Sequence, residues 1–243
     1  MESERRRFLE LARLVPAGIV LAGLPLAARA ATGDGGRLKI GIVGSGRVGG
    51  TLGTVWAKAG HQVMLSSRDI GHDRELAARI GPNARAGTPR EAAAFGDVVT
   101  VSVPYRALPD VGRDLADLIR GKTVIDTCNP FVGRDGEIAK WAREKGAGLA
   151  SAELLAGARI VRAFNAIGYA RMGAAHEEPG RIGMPIAGDD AQAIAIASRL
   201  IRDIGFEPVL VGGLAMGRHL MPGTPLAGEL APDEIRRIAA TLD

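Results

Sequence analysis

The chain has 243 residues, 47% of them hydrophobic, 24% charged and 4% aromatic, which is enough for one substantial core and short for two full domains. These values exclude a disordered chain, a collagen-like repeat and a disulfide-rich miniprotein. Of the formal charge of +4, half belongs to the first thirty residues (five Arg against three acids), so the remainder carries about +2 and no electrostatic footprint for nucleic acid.

The chain opens with paired arginines in Glu4-Arg5-Arg6-Arg7-Phe8-Leu9, continues through an uncharged run from Leu14 to Ala28, and reaches Ala28-Arg29-Ala30. Basic stretch, apolar stretch and A-x-A site in that order predict a twin-arginine signal peptide over residues 1–30, hence an exported, periplasmic protein. The apolar run has fifteen residues. Spanning a bilayer takes roughly twenty, so no stable membrane insertion is expected after cleavage. The competing reading, the first helix of a cytoplasmic protein, has to place Pro16 and Pro25 in a helix interior. Ala31–Gly36 reads as a flexible glycine-rich tether, and residues 37–243 as a single domain.

Leu38 to Val43 is a short apolar run bounded by glycines, as in a buried parallel strand. Helical spacing follows from Arg47 to Ala59 and stops at Gly60. His61–Leu65 is a second strand, Arg74–Ile80 a short helix, and Gly81-Pro82-Asn83 a break. Asp97–Val103 is a third strand, Leu108–Ile119 a helix, Lys122–Asp126 a strand and Gly136–Lys145 a helix. Arg159–Phe164 is a strand, and two last strands, Met184–Ala187 and Pro208–Val211, flank a helix from Asp190 to Ile204. Strands alternating with helices predict an α/β fold: a Rossmann-like, doubly wound, mainly parallel sheet with a short C-terminal extension from about residue 165. The apolar last segment, Leu226–Leu242, offers a docking face for a second copy of the chain, as in a homodimer.

Gly44-Ser45-Gly46-Arg47-Val48-Gly49 follows the first strand directly and opens a helix. In that setting the first Gly permits a tight turn, the second lets the backbone approach a pyrophosphate, and the third lets helix and strand pack closely. Phosphates would meet free N–H groups at the positive end of the helix. The end of the second strand selects the dinucleotide. An NAD site carries an acid there for the ribose hydroxyl, whereas this chain has Ser66-Ser67-Arg68. Two hydroxyls and a guanidinium suit a 2′-phosphate dianion, which predicts NADP. Asp69 could instead pair with Arg68, and His72 and Arg74 stand close enough in sequence to add charge.

Val103-Pro104-Tyr105, Asp126-Thr127-Cys128-Asn129-Pro130 and Phe164-Asn165-Ala166-Ile167-Gly168 end three later strands at the edge where doubly wound sheets bind ligands. Asn129 and Asn165 read equally well as backbone support, and Asp126 as a partner of neighbouring backbone rather than a base. Cys128 has no adjacent His or second Cys to activate it. His61, His72, His176 and His219 show no metal-ligand spacing. The pattern supplies neither a catalytic acid or base nor a nucleophile. That fits a hydride passing between two ring systems, in which the protein chiefly stacks and orients them.

Taken together, the chain resembles the NADP oxidoreductases that act on the 8-hydroxy-5-deazaflavin coenzyme. The residues that carry the resemblance are Lys39 to Gly49, Ser66-Ser67-Arg68, Val103-Pro104-Tyr105, Val124-Ile125-Asp126 with Asn129-Pro130, Arg162 to Asn165 and Pro185 to Asp190, across nearly all of residues 38–226. It implies Ser45, Gly46, Arg47 and Val48 around the pyrophosphate and Ser67 with Arg68 on the 2′-phosphate. It also implies Val103 and Ala166, Ile167 and Gly168 beside the nicotinamide, with a deazaflavin or flavin-like small molecule as the acceptor. The segment Gly212–Leu220, with Arg218 and His219, stands where the family closes over its second substrate, and the export signal is unexpected in it. A related branch of the fold feeds electrons into a membrane haem domain to reduce metals. Two other readings stay open: a sensor or electron-transfer partner that holds NADP without turnover, and a small imine or 2-keto acid reductase. The latter usually carries a long helical C-terminal domain, and fewer than eighty residues follow Phe164.

Overall fold

The computed structural model describes residues 36–242, so the expected signal and all of the tether but Gly36 lie outside the described residues. The chain runs β1 (Lys39–Val43), α1 (Arg47–Lys58), β2 (Gln62–Ser66), α2 (Ile70–Ile80), β3 (Ala84–Ala86), α3 (Pro89–Phe95), β4 (Val98–Val101) and, after a single 3-10 turn, α4 (Leu108–Asp114) and α5 (Ala116–Ile119). It continues through β5 (Thr123–Asp126), α6 (Val132–Asp135), α7 (Glu137–Lys145), α8 (Ala147–Leu154), β6 (Arg159–Arg162) and α9 (Tyr169–Ala174). β7 (Gly183–Gly188), α10 (Ala191–Arg202), β8 (Glu207–Gly212) and α11 (Pro232–Ala239) complete it.

The eight strands form one sheet in the order β3-β2-β1-β4-β5-β6-β7-β8. All neighbours pair parallel except β6 and β7, which meet antiparallel through Val161 with Gly188 and Arg162 with Ala187. The sheet is therefore doubly wound and mainly parallel, as the alternation of elements implies. Side-chain alternation sorts the core onto two faces. Ile40, Ile42, Leu52, Trp56 and Phe206 form one cluster, and Val43, Val99, Val101, Tyr105 and Leu155 the other. On the first face the Trp56 indole donates to the Leu200 carbonyl (2.9 Å), tying α1 to α10.

Several elements differ from the sequence reading. α2 begins four residues early because the Asp69 carboxylate caps it, accepting from the His72 N–H at 3.0 Å. α3 was not foreseen, although Thr88-Pro89-Arg90-Glu91 carries its signal: Thr88 and Glu91 form a reciprocal capping box with Pro89 in the first turn. The long helix expected to Ile119 is interrupted at Leu115 (φ −115°, ψ 7°). The stretch from about residue 165 does more than extend the domain, since it supplies β7 and β8. The last segment packs Leu226 and Ile235 against Ala187, Val209 and Leu220 of its own chain.

Candidate functional site

At the carboxyl ends of β1, β2 and β4 lies a cavity of about 1220 Å³, walled on its far side by α3 and α4. Its floor is the turn between β1 and α1. The N–H groups of Gly44 and Ser45 both donate to the Ser66 carbonyl (2.9 and 3.0 Å), so the end of β2 holds the turn in place. Gly44 adopts φ +100°, and a Cβ there would stand 2.2 Å from the Ser102 carbonyl oxygen. A Cβ on Gly49 would stand 2.0 Å from the Gly44 carbonyl oxygen. Gly46 lines the cavity, and a Cβ on it would meet no protein atom within 4 Å. The protein's own packing does not require that glycine; the space it leaves is a cradle at the start of α1. No side chain caps this helix and no acid stands in its first turn, so its first N–H groups receive no side-chain acceptor at the cavity floor.

The end of β2 corrects part of the sequence reading. Ser66 is fully buried and its hydroxyl donates to the Ile42 carbonyl (2.7 Å), because in a strand flanked on both sides its side chain faces the interior. Ser67 does line the cavity, yet its hydroxyl donates inward to the carboxylate of Asp73 (2.9 and 3.1 Å). Asp73 is fully buried in the first turn of α2 and also receives the Ser45 hydroxyl. Sequence reasoning missed it because a helix begun at Arg74 leaves Asp73 in a loop; Asp69 as a cap was the available signal. Arg68 is exposed on the cavity wall, and among the described residues no carboxylate pairs with it. Asp69, the alternative partner, is engaged as the cap of α2. His72 and Arg74 are exposed and do not line the cavity.

Val103 and Pro104 line the other end of the same cavity. The structure thus brings Gly44, Gly46, Ser67, Arg68, Val103 and Pro104 together, whereas Arg47, Val48, Asn129, Ala166, Ile167 and Gly168 stand outside the lining. Arg47 lies over the ring of Tyr169 at the start of α9 (5.6 Å to the centroid). Ala166 is buried and its carbonyl accepts from the Gly228 N–H (2.8 Å), while Gly168 is exposed with open space around it. Asn129 supports the protein rather than facing outward: its amide donates to the Asn165 carbonyl (2.7 Å) and accepts from Arg162 (3.4 Å). Phe164 turns the chain here at φ +65°, held edge-on between Trp56 and Phe206. A non-glycine residue in that region costs about 1–3 kcal/mol, which the surrounding packing offsets.

Beneath these strand ends Asp126 pairs with Arg162 at 2.6 Å, both side chains fully buried, and also accepts from the Cys128 N–H (2.8 Å). Asp126 is therefore a structural anion and not a base. Burial pushes the Cys128 thiol well above its ordinary value, with the Asp126 charge adding to the effect, so it is no nucleophile. Burial likewise raises the Tyr105 phenol, which is hydrogen-bonded to Ser151 (3.2 Å). Asp110 and Asp114, the acids on the cavity wall, are both ion-paired to Arg113 at 2.9 Å. No group of His, Cys, Asp or Glu among the described residues could hold a metal ion.

Comparison with known proteins agrees with this architecture. The family described as NADP oxidoreductase, coenzyme F420-dependent, matches residues 39–130. The F420-dependent NADP reductase of Methanothermobacter thermautotrophicus is 30% identical over 205 residues, covering 78% of this chain and 87% of that protein. The metalloreductase STEAP3 of Rattus norvegicus is 29% identical over 182 residues; the match covers 75% of this chain and 35% of that longer protein. Among solved structures, a hypothetical protein from Sinorhizobium meliloti superposes with a TM-score of 0.65 at 24% identity, covering 79% of this chain and 94% of that one, and so shares the fold.

Proposed function

The chain belongs to the coenzyme F420-dependent NADP oxidoreductases, and on that premise we propose that it passes a hydride between NADP(H) and a deazaflavin or flavin-like acceptor. The observation that carries the nucleotide half is one cavity with an open cradle at Gly46 on its floor and a carboxylate-free guanidinium, Arg68, on its wall. The residues present fit the cofactor. Gly44 and Gly46 with the first N–H groups of α1 would hold the pyrophosphate, where the helix dipole favours negative charge. Arg68 would take the 2′-phosphate through charge-assisted hydrogen bonds. Val103 and Pro104 give the cavity an apolar end suited to one face of a nicotinamide ring.

When bound, NADPH supplies a hydride, and the acceptor ring takes it together with a proton from solvent. The chain needs no acid or base for that transfer. Its contribution is to orient the two rings, which lowers the barrier by fixing a reactive geometry in advance. The arrangement matches that demand: the acids on the cavity wall are ion-paired, and Cys128 and Tyr105 are held protonated by burial.

The test is an anaerobic assay of purified protein with NADPH or NADH against coenzyme F420, FMN, FAD and a quinone. Nicotinamide oxidation with a deazaflavin or flavin, faster with NADPH, is expected. No oxidation with any acceptor would remove the catalytic reading and leave a protein that holds the nucleotide without turnover.

A further inference from the structure

We propose that Asp73 is a specificity-determining residue, a buried negative charge that tempers the preference of the site for a 2′-phosphate; the proposal rests on reading Arg68 as the phosphate partner. The Ser67 hydroxyl has one proton, and the acceptors around it all lie inside the protein: the Asp73 carboxylate oxygens (2.9 and 3.1 Å) and the Asp69 carbonyl (3.2 Å). Its oxygen in turn accepts from the Asp69 N–H (3.1 Å). Ser67 therefore presents no donor to the cavity it lines, and Arg68 is left as the donor of the clamp.

Asp73 is wholly buried, receives the Ser45 and Ser67 hydroxyls, and has no cationic partner among the described residues. A phosphate held by Arg68 beside Ser67 would have only the Ser67 hydroxyl between it and that carboxylate, a separation of about 6 Å. Even with the dielectric of bulk water between them, a phosphate dianion and a unit negative charge at that separation repel by an amount worth about a tenfold change in affinity, which is therefore the least effect expected. The opposition of Asp73 to the pyrophosphate, which both nucleotides carry near Ser45, cancels in the ratio of their affinities, whereas its opposition to the 2′-phosphate falls on NADPH alone.

The neutral isostere tests this. In Asp73→Asn the amide still accepts from Ser45, while its N–H₂ donates to the Ser67 oxygen and turns the hydroxyl proton toward the cavity. Calorimetric titration with NADPH and NADH should then show the ratio of NADPH to NADH affinity rising at least about tenfold. Ser67→Ala provides a second arm: since Ser67 donates inward, the ratio of the two affinities should stay within about twofold of wild type. An unchanged or lowered NADPH preference in Asp73→Asn, or a selective tenfold loss of NADPH binding in Ser67→Ala, would overturn the proposal. Arg68→Glu separates this from the underlying reading. If it weakens both nucleotides equally, the clamp itself is misassigned and the role of Asp73 falls with it. If it weakens NADPH alone, the Asp73 result stands on its own.

Discussion

A methyl group added to each glycine of the β1–α1 turn would meet a different fate. On Gly44 it meets the Ser102 carbonyl in a backbone of positive φ; on Gly49 it meets the Gly44 carbonyl at 2.0 Å; on Gly46 it meets nothing within 4 Å. Two of the three glycines thus serve the fold, and the third leaves open space on the cavity floor. Gly49→Ala should lower the urea midpoint by an amount equivalent to about 1–3 kcal/mol or more, since only backbone can yield. Gly46→Ala should cost no more than about 1 kcal/mol of stability, the loss of glycine at a helix N-cap, while weakening NADPH binding at least about tenfold. Equal stability losses in the two variants, or full NADPH affinity in Gly46→Ala, would contradict this division. These roles were legible in the sequence because each answers a local steric question. Asp73 and Arg162 were not, because a buried charge is explained by partners that the fold brings from distant positions, Ser45 to one and Asp126 to the other.

Among the elements, seven of the eight strands were readable because burial makes them continuous apolar runs, and the three-residue edge strand β3 was not. α3 escaped although its capping box is local, since Pro89 and the three-residue β3 before it read as a loop. The junction of β1, β2 and α10 depends on a side chain whose role needs the tertiary structure. Nδ1 of the buried His61 accepts from the Leu38 N–H (3.2 Å), and Nε2 faces the Asp203 carboxylate (3.0 Å). A ring that accepts at Nδ1 is neutral, and protonation would set two donors against each other. Burial lowers the His61 pKa below 6.5, outweighing the opposite pull of Asp203. The folded state therefore takes up its proton at lower pH than the unfolded chain does. The resulting stability is fully present above about pH 6.5 and is lost as pH falls through the lowered value. Urea midpoints should fall between about pH 7.5 and about pH 5.5, and His61→Gln should flatten that dependence. A midpoint that rises on acidification would mean that Asp203 outweighs burial.

Across the whole molecule, the two halves of the sheet are joined where their chemistry converges. Arg162 on β6 holds Asp126 on β5, the Cys128 carbonyl (3.1 Å) and the Leu220 carbonyl of the C-terminal segment (3.5 Å). A Cβ on Gly217 would stand 2.6 Å from its side chain and one on Gly148 3.2 Å, so neighbouring segments leave room for it alone. Such a buried pair is weak evidence for added stability, but removing either partner would strand a charge, which fixes how the later segments sit on the strand ends. The fold as a whole and the nucleotide turn were legible from period and placement. The placing of Ala166, Ile167 and Gly168, expected beside the nicotinamide and found outside the cavity lining, was not, because they acquire their positions from Phe164 at positive φ and from the Gly228 contact, neither of which has a local signature. The most direct measurement of the central claim uses NADPH carrying deuterium at both positions of nicotinamide C4 with oxidised deazaflavin coenzyme, followed by mass spectrometry of the reduced acceptor. Direct transfer between the two rings predicts that the label arrives on ring carbon 5 of the deazaflavin. Consumption of NADPH with an unlabelled product, or no consumption at all, would contradict it.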